Sequence, residues 1–343
     1  MHGIAAAGRR WLRTGPGFTF LLIAAVFTLM LSVMLSVSAG VAGGGIGTLF
    51  KMREFSGRNS MMGRIMFEMR LPRALAACMT GAAFALAGSV MQGITHNPLA
   101  DSGLLGINAG AGFMVILTTV LRPSMSAIGT MFSAFLGGAL AAALVYGLGM
   151  GKKTVKTIRL ILAGSAVAAM LSALSQGLAL GFGLSRDLSF WSSGSLSGIS
   201  WARLRIASPL IIAALITGLV ISGKLSVLAL GEEIAAGLGL NIWAVRLMGL
   251  AVVLALAGLS VTLAGGISFL GLIVPHTARF LAGSDYRRIM PVSALLGGIL
   301  LVLSDAAARM INAPFDTPVG ALVSLIGVPF FLAMTFRKKG GNP

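Results

Sequence analysis

Residues 228–246 read Leu228-Ala-Leu-Gly-Glu-Glu-Ile-Ala-Ala-Gly-Leu-Gly-Leu-Asn-Ile-Trp-Ala-Val-Arg246, and they contain the only adjacent acidic residues in the chain, Glu232 and Glu233. Long apolar runs flank this stretch on both sides. Of the 343 residues, 57% are hydrophobic and 10% are charged, whereas soluble domains carry about 25% charged residues. The sequence therefore predicts an integral membrane protein, in which this stretch joins two membrane-spanning segments.

The acidic pair lies beside a regular apolar pattern. Leu230, Ile234 and Leu238 follow one another at intervals of four residues, so a short helix here would carry an apolar stripe next to an acidic edge. Such a helix suits a segment that lies across a membrane face, or against another protein at that face. An ordinary loop between two membrane helices is the alternative interpretation.

The apolar runs are long enough for ten membrane-spanning helices, at about twenty residues for each span. We therefore predict an all-α, polytopic membrane protein with a single transmembrane domain over residues 1–343. A cytoplasmic tail is expected at about 1–16 and a connecting segment at about 224–246. The eighth span depends on a break at Gly265-Gly266. The predicted spans lie near residues 17–40, 74–93, 103–121, 126–148, 158–181, 204–222, 245–264, 267–283, 291–311 and 318–336.

Glycine is abundant, with 47 residues, and it often recurs with three residues in between. This spacing lets helix backbones approach each other closely in lipid, so we expect a tightly packed bundle. The pairs that show it include Gly106 and Gly110, Gly147 and Gly151, and Gly177 and Gly181.

The basic residues set the predicted orientation. An even number of spans places both termini on one side, and fifteen of the 26 Lys and Arg residues fall on that side. Because cytoplasmic segments are enriched in Lys and Arg, we expect both termini and the 228–246 stretch in the cytoplasm. The net charge of +17 is spread over many short loops, which argues against a nucleic-acid surface.

The sequence offers no set of residues suited to catalysis or metal binding. Cys78 is the only cysteine and the three histidines are scattered, so neither a disulfide nor a histidine-based metal centre is predicted. Residues 218–224 have the spacing of a phosphate-binding loop, but Leu225 stands where a serine or threonine should bind magnesium. Asp305 is the main acid within a predicted span. We expect no catalytic residue, metal or cofactor in this chain, and any ATP that drives it must bind another subunit.

Two arginines at the outer ends of predicted spans are candidate binding residues. Arg70 precedes the second span and Arg309 ends the ninth. Both could be arginines that extend their side chains to the membrane surface. The sharper hypothesis is a docking site for acidic side chains of an extracytoplasmic partner, because arginine pairs well with carboxylates.

A set of motifs occurs in a fixed order between residues 70 and 337. They are Arg70-Leu-Pro-Arg73, Gly81-Ala-Ala with Gln92, Asn97-Pro-Leu-Ala100, Leu162-Ala-Gly164, Trp191 with Gly194-Ser-Leu196 and Trp201, Leu230-Gly-Glu-Glu233 with Leu238-Gly239, Gly271-Leu-Ile-Val-Pro-His276 with Arg279, Asp285-Tyr-Arg-Arg288, Asp305 with Arg309, and Pro318-Val-Gly320 through Gly327-Val-Pro-Phe330. In this order they resemble the permeases that import iron-siderophores, haem and cobalamin through ATP-binding-cassette (ABC) systems.

The resemblance implies a permease subunit in the bacterial cytoplasmic membrane, paired with an identical or a sister permease around one pathway. It also implies two cytoplasmic ATPase subunits, which use ATP and Mg²⁺, and an extracytoplasmic substrate-binding protein. By position it implies three sets of site residues. These are Gly231, Glu232, Glu233, Leu238 and Gly239 for coupling to the ATPase, Arg70 and Arg309 for docking of the binding protein, and Thr157 and Ile158 for a cytoplasmic gate.

The substrate is the least constrained feature of the sequence. Within the family, residues 95–108 and 312–320 look closest to siderophore permeases, so a ferric siderophore is expected, with the hydroxamate type as first candidate. Haem and cobalamin are the alternatives. A transporter driven by protons or sodium would instead predict paired acids within the membrane and two halves related by a repeat. A membrane-embedded enzyme would require a polar catalytic set at bilayer depth.

Overall fold

The computed structural model describes residues 14–39, 61–149, 157–313 and 315–339, and the regular structure in these ranges is helical throughout. Ten main helices follow one another in these described ranges. They are α1 Gly15–Ser38, α2 Leu71–Thr95, α3 Ile107–Leu121, α4 Ala127–Gly149, α5 Thr157–Gly181, α6 Trp201–Leu228, α7 Ile242–Ala264, α8 Leu270–Ala282, α9 Tyr286–Ile311 and α10 Val319–Lys339. Shorter helical segments lie at Met61–Arg64, Ile65–Arg70, Ser102–Leu105, Ser185–Ser192 and Glu232–Gly237.

The predicted all-α membrane fold with about ten spans is confirmed. Seven helices in the described residues are long and apolar enough to cross a membrane, and α3, α8 and α10 add three shorter apolar helices. Helix α8 has 13 residues, which corresponds to about 20 Å at 1.5 Å for each residue. That is shorter than the hydrocarbon core, about 30 Å, so other segments must complete the crossing at α8. The predicted tail at 1–16 lies almost entirely outside the described residues.

Successive helices reverse direction, so the bundle has two ends. The end where α1 stops and α2 starts is called the Arg73 end, after a residue in the first turn of α2. The opposite end, where α6 stops and α7 starts, is called the Glu232 end. Contacts between distant segments agree with this arrangement: Trp201 Nε1 donates to the carbonyl of Phe67 at the Arg73 end, 2.8 Å away, and Arg246 Nε donates to the carbonyl of Ile94 at the Glu232 end, 3.3 Å away.

Helix α2 forms the centre of the bundle and packs against α6, α7, α8 and α9. In its most apolar stretch 78% of the residues are buried, against 17% in α1. Its interior positions are small: a Cβ at Gly81 would overlap the backbone of Gly297, and one at Gly88 would overlap the backbone of Gly271. Small residues at these crossings let α8 and α9 approach α2 closely, which is how helices associate in lipid.

The glycine spacings in the sequence are only partly explained by helix packing. Gly110 packs on the backbone of Gly137, as predicted for a close approach. A Cβ at Gly147, Gly177 or Gly181, however, would meet nothing within 4 Å. Gly151 lies outside the described residues. Within the described part of the chain, the glycines at 147, 177 and 181 therefore make no close helix contact.

Two connections enter the bundle without forming a long helix. Residues 96–106 turn back into it. Helix α3 begins at Ile107, four residues after the predicted start near 103, because Gly106 before it has a φ of +67°. The carbonyl of Leu104 in this connection packs on Gly164 of α5. Irregular backbone is tolerated at such depth only where protein encloses it. The second connection follows Gly265, also with positive φ, so the predicted break there is confirmed.

Candidate functional sites at the two ends of the bundle

The connection between α6 and α7 holds a short helix, Glu232–Gly237, that stands out from the Glu232 end. Gly231 precedes it with a φ of +114°, and Gly239 follows it with a φ of +78°. These are conformations that glycine adopts without a steric penalty. Ala235 is the buried residue that anchors the helix to the bundle. Of the predicted segment at about 224–246, residues 224–228 belong to α6 and residues 242–246 belong to α7.

The predicted apolar stripe of this segment is confirmed, and it points away from the protomer. Leu230, Ile234 and Leu238 are 59%, 54% and 65% exposed, and Glu232 and Glu233 beside them are also exposed. Exposed apolar side chains gathered at one place mark a contact surface for another protein or for a membrane. An acidic edge on this surface favours a partner with basic groups.

The segment is fixed to the bundle through Arg246 at the start of α7. Its Nη2 atom lies 2.6 Å from Oε1 of Glu232, and its Nε donates to the carbonyl of Ile94 at the end of α2. Asn241 caps α7 by accepting a hydrogen bond from the N–H of Ala244, 3.0 Å away. Arg246 therefore connects the short helix to α7 and to the end of the central helix α2.

The Arg73 end holds a buried group of charged side chains that joins α2, α9 and the loop after α9. The Asp305 carboxylate is fully buried between two arginines, with Nε of Arg73 at 2.9 Å and Nε of Arg309 at 3.3 Å. Nη1 of Arg73 also lies 3.1 Å from Asp316 in that loop. Buried charges are tolerated when they are paired in this way. Asp305 was recognised in the sequence, but its pairing with Arg73 was not.

The structure brings the two candidate docking arginines together at the C-terminal end of α1. Arg70 is 7% exposed, and its Nη1 donates to the carbonyls of Val37 and Ser38, both 3.3 Å away. Arg309 Nη2 donates to the carbonyl and the hydroxyl of Ser36, at 2.8 and 2.7 Å. Both guanidinium groups thus satisfy carbonyls that the end of a helix leaves without partners. Neither side chain extends freely to the surface.

Helix α5 carries the candidate gate residues and an unusual exposed face. Thr157 is its first residue, and Ile158 next to it is 74% exposed. Further along, the exposed positions include Ser165, Ala169 and Gln176. No charged residue occurs between residues 160 and 185. Large apolar side chains are exposed on the same helix as well, namely Leu162, Met170, Leu174 and Leu180. An uncharged helix surface of mixed small, polar and apolar side chains can contact lipid, a second helix or a pathway.

A cavity of about 350 Å³ lies beside this face. Asn108 of α3, Ser172, Ser175 and Gln176 of α5, and Trp191 contribute to its lining. The side chains lining this cavity include hydroxyl and amide groups, and none of them is charged. Such a lining can offer weak hydrogen bonds to a solute without holding it tightly.

The bundle of apolar helices has an uncharged helix face, a polar cavity and a contact surface at one end. This is the architecture of a membrane transport protein. Comparison with known proteins agrees with this class. Residues 26–337 match the model of the FecCD transport family. The chain belongs to that family.

Individual relatives cover almost the whole chain. It is 40% identical to the iron(3+)-hydroxamate import system permease protein FhuB of Bacillus subtilis (strain 168), over 97% of this chain and 87% of that protein. It is 36% identical to the hemin transport system permease protein HmuU of Yersinia pestis, over 91% and 95% of the two chains. Among solved structures it is similar to an inward-facing metal-chelate type ABC transporter, with a TM-score of 0.82 and 26% identity over 93% of this chain and 99% of that one.

Proposed function

We propose that this chain is the permease subunit of an ABC importer that moves a ferric siderophore into the cytoplasm by alternating access. The observation that carries the proposal is the exposed Glu232–Gly237 helix, which Arg246 joins to α7 and α2. An importer driven by a separate ATPase needs such a surface, because the energy of ATP must enter the membrane domain through a protein contact. The Glu232 end is then cytoplasmic, as are both termini.

The proposed partners at the cytoplasmic end are two ATPase subunits, which bind and hydrolyse ATP with Mg²⁺. Their contact on this chain comprises Gly231, Glu232, Glu233, Leu238 and Gly239. The exposed leucine and isoleucine side chains would fill an apolar cleft, and the acidic edge would orient the segment within it. The permease itself carries out no covalent chemistry in this scheme and is not an enzyme.

The proposed pathway lies between this chain and a second permease, either identical or a sister subunit. The exposed, uncharged face of α5 and the adjacent cavity support this arrangement. The gate at its cytoplasmic mouth is assigned to Thr157 and Ile158. The side chain of Ile158 is available to a partner because it is largely exposed in the protomer.

The proposed partner at the Arg73 end is a substrate-binding protein with acidic groups on its surface. Arg70 and Arg309 are the docking residues, and Arg73 lies in the same charged group. Arg73 and Arg309 pair with Asp305 and Asp316, and Arg70 has no carboxylate among its contacts in the described ranges, so the three arginines leave one positive charge in excess. For Arg70 or Arg309 to contact the partner, the arginine must give up some of its hydrogen bonds to α1.

A ferric siderophore of hydroxamate type is proposed as the substrate, on the strength of 40% identity to a protein named as an iron(3+)-hydroxamate permease. Haem is the second candidate, since a named hemin permease is 36% identical, and cobalamin is the third. An ion-driven transporter is the alternative of a different class. It is disfavoured because Asp305, the main acid within a predicted span, is already paired with two arginines.

The proposal is tested by uptake into proteoliposomes that contain this chain together with a candidate ATPase and a candidate substrate-binding protein from the same cell. We expect uptake of an iron-55 hydroxamate siderophore that requires ATP, and weaker or no uptake of citrate-bound iron, haem and cobalamin. If haem or cobalamin were taken up preferentially, the substrate assignment would be wrong but the assignment as an ABC importer would stand. Uptake that follows an ion gradient without ATP would overturn the importer itself.

A further inference from the structure

An apolar groove opens on the flank of the bundle between α4, α6 and α7. It has a volume of about 480 Å³ and is lined almost entirely by hydrocarbon, including Phe132, Phe135, Leu210, Ala213 and Leu259. Its residues come from the first turns of α4, the first half of α6 and the last turns of α7, so the groove lies in the half of the bundle nearest the Arg73 end. A groove at this depth faces the acyl chains of one leaflet.

A polar pocket of about 340 Å³ continues the groove toward the membrane surface. The two share Met131 and Thr262 in their linings, so they adjoin each other, and together they are called the depression. The pocket is lined by Arg186, Asp187 and Arg203, among others. It also contains Trp191, and tryptophan is enriched where the hydrocarbon core meets the headgroups. The depression is therefore apolar at its inner part and cationic at its outer part.

The charge of the pocket is not balanced from within. Its lining holds two arginines and one aspartate, which gives a net charge of +1. Arg203 donates to the carbonyl of Gly198 at 3.3 Å, and Arg186 lies over the ring of Phe190 at 5.9 Å. Among the described residues, neither arginine has a carboxylate oxygen within 4.0 Å. A group with one negative charge would complement this pocket.

We propose that the depression binds an anionic phospholipid from the leaflet at the Arg73 end. One acyl chain lies in the groove, and the phosphate lies at Arg203 and Arg186. Arginine suits this role because its planar, forked guanidinium can donate two hydrogen bonds to a phosphate. A headgroup that also carries an ammonium is disfavoured, since the net positive pocket repels it. The proposal does not depend on the transported substrate or on the membrane orientation.

The first test compares two arginines of α6 in the full chain, purified in detergent and stripped of lipid. Phosphatidylglycerol is added back, and bound lipid is counted by native mass spectrometry, with phosphatidylcholine as the zwitterionic reference. We expect phosphatidylglycerol to be retained about tenfold better than phosphatidylcholine, and Arg203→Gln to remove that preference. Arg205→Gln is the matched control, because Arg205 is exposed two residues away and does not line the pocket. Equal losses in the two variants, or no preference in the parent protein, would overturn the proposal.

The second test fills the groove. Ala213→Phe places a ring in it, whereas Ile212→Phe places one on the neighbouring exposed position that does not line it. We expect Ala213→Phe alone to weaken phosphatidylglycerol binding by about tenfold. If Ala213→Phe instead separated permease dimers while lipid binding stayed intact, the groove would be an interface between two copies. That result would also refute the lipid assignment.

Discussion

The Nη2 atom of Arg246 lies 2.6 Å from Oε1 of Glu232. The Glu232 side chain is 49% exposed, and an exposed ion pair of this kind stabilises a fold by about 1 kcal/mol or less. The ion pair matters for the position of the short helix more than for the stability of the fold. The same guanidinium reaches the carbonyl of Ile94, so it links the short helix at the Glu232 end to the last turn of the central helix.

This geometry separates the roles of the two adjacent glutamates. Glu233 is exposed, whereas Glu232 is held by Arg246. We expect Glu233→Arg to lower ATP-dependent uptake and the stimulation of the ATPase by about tenfold, since it reverses a charge on the partner surface. Insertion of the permease into the membrane and its thermal unfolding should be unchanged. Uptake and ATPase assay of the assembled complex, with unfolding of the permease alone, measure these effects.

The exchange Glu232→Arg with Arg246→Glu is the control for the internal pair. It restores the ion pair in the opposite sense but loses the hydrogen bond that Arg246 donates to the carbonyl of Ile94. The protomer should therefore lose about 1–2 kcal/mol of stability, while coupling stays impaired because the charge at position 232 of the partner surface is reversed. If Glu233→Arg transported normally, or if the exchange variant recovered full uptake, this segment would not be the contact surface of the ATPase.

The buried charges at the Arg73 end predict a strong dependence of stability on one carboxylate. Asp305→Asn removes the charge that faces both Arg73 and Arg309, and breaking a buried pair of this kind costs about 3–5 kcal/mol. Asp316→Asn is the matched control: its carboxylate also contacts Arg73, but it is 40% exposed, so the cost should be below about 1 kcal/mol. Thermal unfolding in detergent compares the two variants. Similar changes in the thermal unfolding of the two variants would contradict the buried pairing of Asp305.

The close crossings of α2 predict that one glycine-to-alanine substitution destabilises the protein and another leaves its stability almost unchanged. Gly88→Ala forces a Cβ into the backbone of Gly271, so it should lower the free energy of unfolding by about 1–3 kcal/mol or more. Gly177→Ala meets nothing within 4 Å and should change protomer stability by about 0.5 kcal/mol or less. Denaturation of the monomeric permease in detergent is the measurement. A stable Gly88→Ala variant would show that α2 and α8 do not cross at these residues.

Much of this architecture could be predicted from the sequence, because the length of an apolar run in a membrane is set by bilayer thickness. The ends of the spans were therefore found to within six residues, and the short helix with its acidic edge was also found. The start of α3 was predicted too early because the left-handed conformation of Gly106 depends on the contacts around it. Glycine spacing likewise does not say which face a glycine occupies, so Gly110 and Gly177 looked alike in the sequence.

The pairing of the charged residues could not be predicted from the sequence. Arg73 and Asp305 are 232 positions apart, and only the packing of α2 on α9 brings them together. Arg73 belongs to a motif that was noted, yet nothing in a single sequence indicated its partner. The pair formed by Glu232 and Arg246 is closer, at 14 positions, but it depends on the turn at Gly231 and on the cap at Asn241.

The two docking arginines allow a test that separates binding of a partner from stability. Arg309 donates to the end of α1 and also pairs with Asp305, so Arg309→Gln should destabilise the permease whether or not it docks a partner. Docking adds a second effect. We expect about tenfold weaker affinity for the binding protein and a smaller dependence of its association rate on salt, because a steering charge is lost.

Arg122→Gln provides the control, since Arg122 is exposed at the same end, after α3. Titration at two salt concentrations, beside thermal unfolding, distinguishes the two roles. Unchanged affinity in a destabilised Arg309→Gln variant would restrict this arginine to holding α1 in place.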